Sequence, residues 1–300
     1  MSSVDRIQQM LTVAMPDAKL INVWPLQGGI SAHMNAFEIE TSEGRQTLIA
    51  RQPNAYAYRQ HKNAAEHEFK TLKSLHTAGL PVQKPYFVEP QTEENPHPFF
   101  VIEYIDGRPE IAPIDPDDFL KKYAYQLAQI HQTDATNFDL RLQTKDHEPR
   151  RETSNDQLRE NDIYDAIEAQ KDLQPNKPVL RHGDFWPGNV LWQDGQIVGV
   201  IDWEETLIGE PLADVAICRL DLLWILGIDA MHHFTELYQS QMNLDMADLP
   251  YWDLCASLRP ITNIDEWATS FPPLGRPDVT AETMSHDHQL FVDQALKSLR

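Results

Sequence analysis

The segment from Val179 to Asp214 constrains this chain more than any other stretch. Two apolar runs, Val190-Leu191-Trp192 and Ile197-Val198-Gly199-Val200-Ile201, flank Asp194-Gly195, the combination that specifies a β-hairpin. Polar residues stand at the open ends of that hairpin. His182, Gly183, Asp184 and Asn189 precede its first strand, and Asp202 closes its second. Antiparallel pairing brings the two ends together, so Asp184, Asn189 and Asp202 are expected to converge although Asp202 lies well downstream.

Oxygen donors from an amide and a carboxylate, with no Cys or His among them, suit a hard ion such as magnesium. Magnesium takes one or two protein carboxylates and shares the rest of its shell with substrate phosphates and water. With Asn189 and Asp202 as ligands, Asp184 is left to orient a hydroxyl and accept its proton. A base, an amide ligand and a carboxylate ligand in that order are the parts of a kinase-type phosphoryl-transfer site. Ordinary turn chemistry accounts for any one of these residues alone. It does not account for all of them at this spacing, followed by Gly209-Glu210-Pro211-Leu212-Ala213-Asp214. His182, just ahead of the loop, reads as a structural hydrogen-bonding residue.

The segment resembles the His-Gly-Asp-x-x-x-x-Asn and Ile-Asp-x-Glu motif of the aminoglycoside phosphotransferase and choline-kinase-like family, relatives of protein kinases. Here it is carried by His182-Gly183-Asp184, Asn189, Ile201-Asp202 and Glu204. The resemblance extends from Leu20 to Ala216, specific at this motif and loose elsewhere. It implies an α+β, two-lobed, protein-kinase-like fold with a small antiparallel-sheet N-terminal lobe and a mainly helical C-terminal lobe. Residues 1–103 are then the nucleotide-binding lobe and residues 104–300 the catalytic and acceptor-binding lobe, a division that suits a 300-residue chain.

The N-terminal third fits that order of parts. Val4, Ile7, Leu11 and Met15 have helical spacing. Strand-like runs follow over Lys19 to Leu26, Met34 to Thr41 and Gln46 to Arg51, joined as consecutive hairpins. Gly28 and Gly29, between the first two runs, allow backbone amides to approach phosphate oxygens. The third run ends in Arg51, where kinases place a lysine; arginine keeps the charge and grips phosphate in a bidentate way. Tyr56 to Ala78 reads as one helix. Glu68 falls within its apolar stripe and needs a partner, so an Arg51–Glu68 ion pair is expected on the kinase template. Phe99 to Ile105 reads as a strand. The resemblance implies that the backbone of Glu103, Tyr104 and Ile105 forms a hinge that contacts the nucleotide base.

The remainder reads as helical, with segments at Asp115 to Thr133, around Ser154 to Leu173, Asp214 to Ile228, Met231 to Met242, Leu249 to Ile261 and Phe291 to Leu299. The resemblance gives Asp214 the task of bracing the catalytic loop from below. Asp221, Trp252, Asp253 and Glu266 are candidates to line an acceptor pocket. His232-His233 and His286-Asp287-His288 read as exposed polar residues.

The 46 acidic against 25 basic residues, a net charge of −21, oppose general binding to nucleic acid or anionic membranes. They are compatible with a cationic acceptor. Two cysteines, Cys218 and Cys255, form no bridging framework, and the first ten residues lack the features of a signal peptide; a cytoplasmic setting is expected. Val215 to Ile228 is interrupted by Arg219 and Asp221, which makes it a buried helix and not a membrane span. The expected activity is ATP- or GTP-dependent, magnesium-assisted transfer of the γ-phosphoryl group to a hydroxyl of a small molecule. The alternative is a catalytically weak or inactive nucleotide-binding scaffold of the same fold, hinted at by Arg51 in the place of lysine. A metal-dependent phosphohydrolase is disfavoured, because two-metal hydrolases need several His and Asp ligands.

Overall fold

The computed structural model describes residues 3–26, 32–144, 146–147, 150 and 154–299. The chain divides into two units, residues 1–106 with 199–201, and residues 107–198 with 202–300.

The first unit is an antiparallel sheet with helices. Helix α1 (Ser3–Ala14) leads into β1 (Lys19–Pro25), β2 (Ala32–Thr41) and β3 (Gly44–Pro53); α2 (Ala55–Gln60), α3 (Ala64–Thr77), β4 (Pro85–Val88) and β5 (Phe100–Glu103) follow. The strand order is β1-β2-β3-β5-β4. Strands β2 and β3 pair without a slip from Ala32↔Pro53 to Thr41↔Gly44, so the pleat puts Phe37, Ile39, Leu48 and Ala50 on one face. That face packs with Ile7, Met10 and Leu11 of α1 and with Phe99 and Val101 into one apolar core.

Two expectations need correction here. Tyr56 to Ala78 is not one helix: it breaks between α2 and α3, where the Ala64 N–H bonds to the His61 carbonyl at 3.1 Å and closes a turn. The break falls on His61-Lys62-Asn63, and Asn competes with helix by offering its backbone turn-like alternatives. The strand expected over Phe99 to Ile105 stops at Glu103, and Tyr104 beyond it is exposed.

The second unit is mainly helical. It comprises β6 (Arg108–Pro109), α4 (Pro116–Gln132), α5 (Glu160–Ala169), β7 (Val179–Arg181), β8 (Val190–Gln193), β9 (Gln196–Val200), β10 (Leu207–Gly209), α6 (Pro211–Leu226), α7 (Ile228–Gln241), α8 (Leu249–Ser257), α9 (Ile264–Ala268) and α10 (Ala281–Ser298). Helix α6 is its axis. Every residue from Pro211 to Ile225 is buried, with α7, α8 and α10 packed around it. The two charges in the middle of that apolar helix, Arg219 and Asp221, are accommodated differently. Arg219 donates through Nε and Nη2 to Asp253 at 2.9 and 3.0 Å, and through Nη1 to Thr235 Oγ1 at 2.7 Å; Asp221 belongs to the site described below. Among the described residues no helix is long and apolar enough to cross a membrane.

Helix α10 starts ten residues before the expected Phe291. Its polar first half hides Met284 and His288, which continue the buried stripe of Phe291, Val292 and Ala295, and a Thr280–Thr283 capping box fixes its start. His288, expected to be exposed, is fully buried and hydrogen-bonded through Nε2 to the Ser257 carbonyl at 2.8 Å.

Candidate active site

The hairpin built on Asp194-Gly195 forms, with φ of 50° and 70° at its two turn residues, the left-handed pair that the tightest hairpins require. The loop between β7 and β8 is therefore anchored at a regular strand on each side. Asn189 is the residue immediately before β8, and Asp202 comes two residues after the end of β9. The pairing of β8 with β9 puts both at the same end of the hairpin. Asp202 itself has φ 66°, a left-handed conformation that Asp tolerates better than most residues.

Buried partners fix the loop from below. Asp214, in the first turn of α6 and fully buried, accepts the His182 N–H at 2.8 Å and the Gly183 N–H at 3.2 Å. It also accepts Arg181 Nε at 2.8 Å and lies 3.3 Å from His131 Nε2. Burial alone would raise its pKa, but the Arg181 guanidinium and His131 outweigh that and hold the carboxyl well below its usual range. Further along, the Phe185 carbonyl accepts from Tyr123 Oη at 2.6 Å and Cys218 Sγ at 3.0 Å. Gly183, at φ 87°, has no room for a side chain: a Cβ there would stand 2.5 Å from the Glu205 carbonyl oxygen. His182 is buried, receives the Asp184 N–H on Nδ1 at 3.2 Å and packs on Trp203 and Phe185, a structural placement.

On this frame Asp184 and Asn189 meet. Asn189 Nδ2 donates to the Asp184 carbonyl at 2.9 Å and to Asp184 Oδ2 at 3.1 Å. Both bonds use the nitrogen, so the amide oxygen is the end left to serve as a ligand. The other carboxylate oxygen, Oδ1, accepts from Arg259 Nη2 at 2.5 Å. Arg259 lies just beyond α8, and sequence reasoning missed it: a single arginine before Pro260 carries no motif, and only the packing of α8 brings it to the loop. Its guanidinium also lies 5.7 Å over the Trp267 ring.

In the first unit, Arg51 on β3 donates through Nε to Glu68 Oε2 on α3 at 3.0 Å, the ion pair expected from the sequence. Both side chains are largely buried, 11% and 16% exposed, so the pair is only weakly screened by solvent. The Glu103 N–H bonds to the Lys84 carbonyl at 2.9 Å, and its carbonyl accepts from Gln83 Nε2 at 3.3 Å. Gly28 and Gly29 lie outside the described residues.

The candidates for an acceptor pocket separate. Trp252 lines a cavity of about 590 Å³ in the second unit, together with Gly183 and Arg259. Asp253 is instead the buried partner of Arg219, and Glu266 is exposed. Asp221 is buried, and among the described residues its Oδ2 has no hydrogen-bond partner. Burial pushes its carboxyl up to about 8; nearby Arg259 opposes that and Asp184 adds to it.

Comparison with known proteins identifies a family and a fold. The sequence model of the phosphotransferase enzyme family matches residues 25–239. Among curated relatives, acyl-CoA dehydrogenase family member 11 of Rattus norvegicus is 24% identical over 254 residues, covering 72% of this chain and 32% of that protein. The same-named protein of Gallus gallus is 29% identical over 192 residues, covering 55% of this chain and 24% of its own. The chain thus spans about a third or less of the length of these relatives. Among solved structures, aminoglycoside phosphotransferase APH(4)-Ia with AMP-PNP and hygromycin B superposes at a TM-score of 0.65 and 15% identity, covering 97% of this chain and 98% of the other. Choline kinase LicA from Streptococcus pneumoniae superposes at 0.61 and 18% identity, covering 99% of each chain. At these identities the structural matches establish a kinase-like fold.

Proposed function

Because the chain belongs to the phosphotransferase enzyme family, we propose that it moves the γ-phosphoryl group of ATP or GTP to a hydroxyl of a small molecule, with Asp184 as the base. The observation that carries this reading is the Asp184–Asn189 contact on a loop held by Asp214, Tyr123 and Cys218. A carboxylate kept in one place by its neighbours is what a positioning base needs, because catalysis in this class is orientation and charge neutralisation.

In the step itself the acceptor oxygen bonds to the γ-phosphorus, the bond from that phosphorus to the β–γ bridging oxygen breaks, and the nucleoside diphosphate leaves. Asp184 Oδ1 receives the acceptor's proton. The oxygen donors Asn189 Oδ1 and the Asp202 carboxylate fit magnesium by their chemistry, one amide and one carboxylate with no soft ligand. Magnesium bound there would neutralise charge on the triphosphate. Arg51, held by Glu68, grips the upstream phosphates, and Gly28 and Gly29 cover them. At the hinge, the backbone of Glu103, Tyr104 and Ile105 meets the base, with the Glu103 N–H also bonded to the Lys84 carbonyl.

The acceptor is a small hydroxylated molecule. Two solved relatives with this fold were captured with such molecules, spectinomycin in one and kanamycin in another. Thermal shift with ATP and GTP, each with and without magnesium, on wild type and Asp202→Ala tests the nucleotide half of the reading. A ligand that binds only the folded state raises Tm by mass action. Stabilisation that requires magnesium and is lost in the variant is expected. No shift with either nucleotide sinks the proposal.

A further inference from the structure

The contact that Asp184 makes outside its own loop is with a cation, and a carboxylate oxygen held by a guanidinium is a weaker base towards a hydroxyl. Arg259 Nη2 sits 2.5 Å from Asp184 Oδ1, the atom assigned above to the acceptor's proton. For that oxygen to act with its full basicity, the guanidinium has to give it up.

The charged groups around the adjoining cavity show what the guanidinium can turn to. That cavity, about 590 Å³, lies wholly within the second unit and has Gly183 and Arg259 in its wall. Its acids are engaged with other groups: Glu205 with Arg141 at 3.2 Å, Asp146 with the Tyr251 hydroxyl at 2.7 Å, and Glu160 with the Asn155 N–H at 2.7 Å. The other arginine nearby, Arg181, is bound to Asp214 at 2.8 Å. Of these wall charges, Arg259 is the one whose counter-ion is the proposed base. Displaced from it, a partly buried guanidinium requires another anion, because a charge removed from water without a partner is costly.

We propose that the acceptor itself supplies that anion: it is a small hydroxylated acid, whose hydroxyl takes the place of Arg259 on Asp184 while its carboxylate or phosphate is taken by Arg259. This rests on the phosphotransferase reading and names its substrate class. Since the two protein groups touch, the hydroxyl and the anionic group sit close together on one molecule. Arginine suits the task, because its planar fork matches carboxylate and phosphate oxygens in a bidentate way. The Trp267 ring beneath the guanidinium limits how far it swings. Asp221 does not replace the acceptor's anion. It is buried, its Oδ2 is unpartnered among the described residues, and burial pushes its carboxyl up to about 8, so near neutral pH it offers Arg259 a mostly uncharged group. A cationic acceptor would bring its ammonium against the displaced guanidinium, an unfavourable meeting of like charges.

The test is phosphoryl transfer by the full chain, read by the appearance of phosphoester in ³¹P NMR and by nucleoside diphosphate release. Short hydroxy-carboxylates form one arm, each paired with its uncharged amide. Sugar phosphates form a second, each paired with the parent sugar. Choline and kanamycin form a cationic arm. The expected result is turnover in one of the two anionic arms, with kcat/KM at least about tenfold above that of the uncharged analogue, as one charge-assisted contact implies. Which arm responds identifies the anion. In Arg259→Gln the preference for acid over uncharged analogue shrinks towards parity, mainly through KM, and Arg259→Lys restores part of it. A merely structural Arg259 would lower both members of a pair alike. Transfer mainly to the cationic arm, transfer to none of the acids by a protein that binds nucleotide, or an unchanged acid preference in Arg259→Gln overturns the assignment. Loss of nucleotide binding in the wild type would instead refute the phosphotransferase reading beneath it. Because acid and uncharged analogue are compared first on wild type, a poorly folding variant does not remove the test.

Discussion

Asp214 reaches back across 32 residues of sequence to accept the His182 N–H at 2.8 Å, so the first turn of α6 fixes the backbone of the loop that carries Asp184. The same carboxylate holds Arg181, and neither side chain has appreciable contact with water. Removing one partner of a buried pair strands the other charge, which costs about 3–5 kcal/mol. Asp214→Asn is expected to lower unfolding free energy by that order in urea titrations. The pH dependence follows the depressed folded-state pKa. The carboxylate's contribution is complete above its unfolded value of about 3.9 and is lost as pH falls through the lower folded value. Wild type should therefore weaken steadily below about pH 4, and the variant should show a shallower decline there.

Arg51 and Glu68 belong to different elements, β3 and α3, and their 3.0 Å contact gives the arginine one orientation. A charge-assisted hydrogen bond contributes about 1.5–3 kcal/mol, which corresponds to about 10- to 100-fold in affinity if all of it is expressed in binding. Glu68→Gln should weaken nucleotide binding by about tenfold in isothermal titration. Glu68→Gln and Arg51→Gln combined should weaken it little beyond Arg51→Gln alone. Additive losses would mean that the two act separately.

How much of this was readable beforehand depended on whether the signal was local. The hairpin was legible because Asp194-Gly195 meets a strict backbone demand for positive φ, and few dipeptides do. The Arg51–Glu68 pair was legible because a carboxylate inside an apolar stripe has to find a cation. The break at His61-Lys62-Asn63 was not, since the polar run Arg59 to Asn63 that contains it has no Pro or Gly to mark a stop, and tertiary packing decides where the helix ends. Helix α10 is legible in the sequence only from Phe291 onward, a little under half of its length. Its first half buries His288 and Met284 among polar neighbours and looks like surface in sequence. Arg259 was invisible for a stronger reason. It lies 75 residues from Asp184, and nothing in Leu258-Arg259-Pro260 distinguishes it from any surface arginine until α8 is packed.

Asp184→Asn keeps the shape of the side chain and removes its ability to take a proton. A positioned base contributes about 10²–10⁴ in rate. Turnover should fall by that order in a coupled nucleoside-diphosphate assay, while the magnesium-dependent thermal shift with nucleotide persists. A variant that keeps wild-type turnover would remove Asp184 from the mechanism.

Asp221 makes a prediction opposite in sign to that for Asp214. Its folded-state pKa is raised to about 8, above the unfolded value of about 3.9. Over the interval between them the unfolded chain has released a proton that the folded chain still holds, so folding becomes progressively less favourable as pH rises. The contribution is fully present below about pH 4 and is lost as pH approaches 8. Burial of the carboxyl beside unpartnered space, and not an ion pair, sets this direction. Asp221→Asn substitutes a neutral group of the same shape and removes the dependence. Urea midpoints of wild type and variant should lie closest near pH 4 and separate towards pH 8, with the variant the more stable at the alkaline end. A separation that stays constant over that range would show that Asp221 is ionised throughout. Arg259 would then face two carboxylates instead of one, and its need for an anion from the acceptor would lose its main electrostatic support.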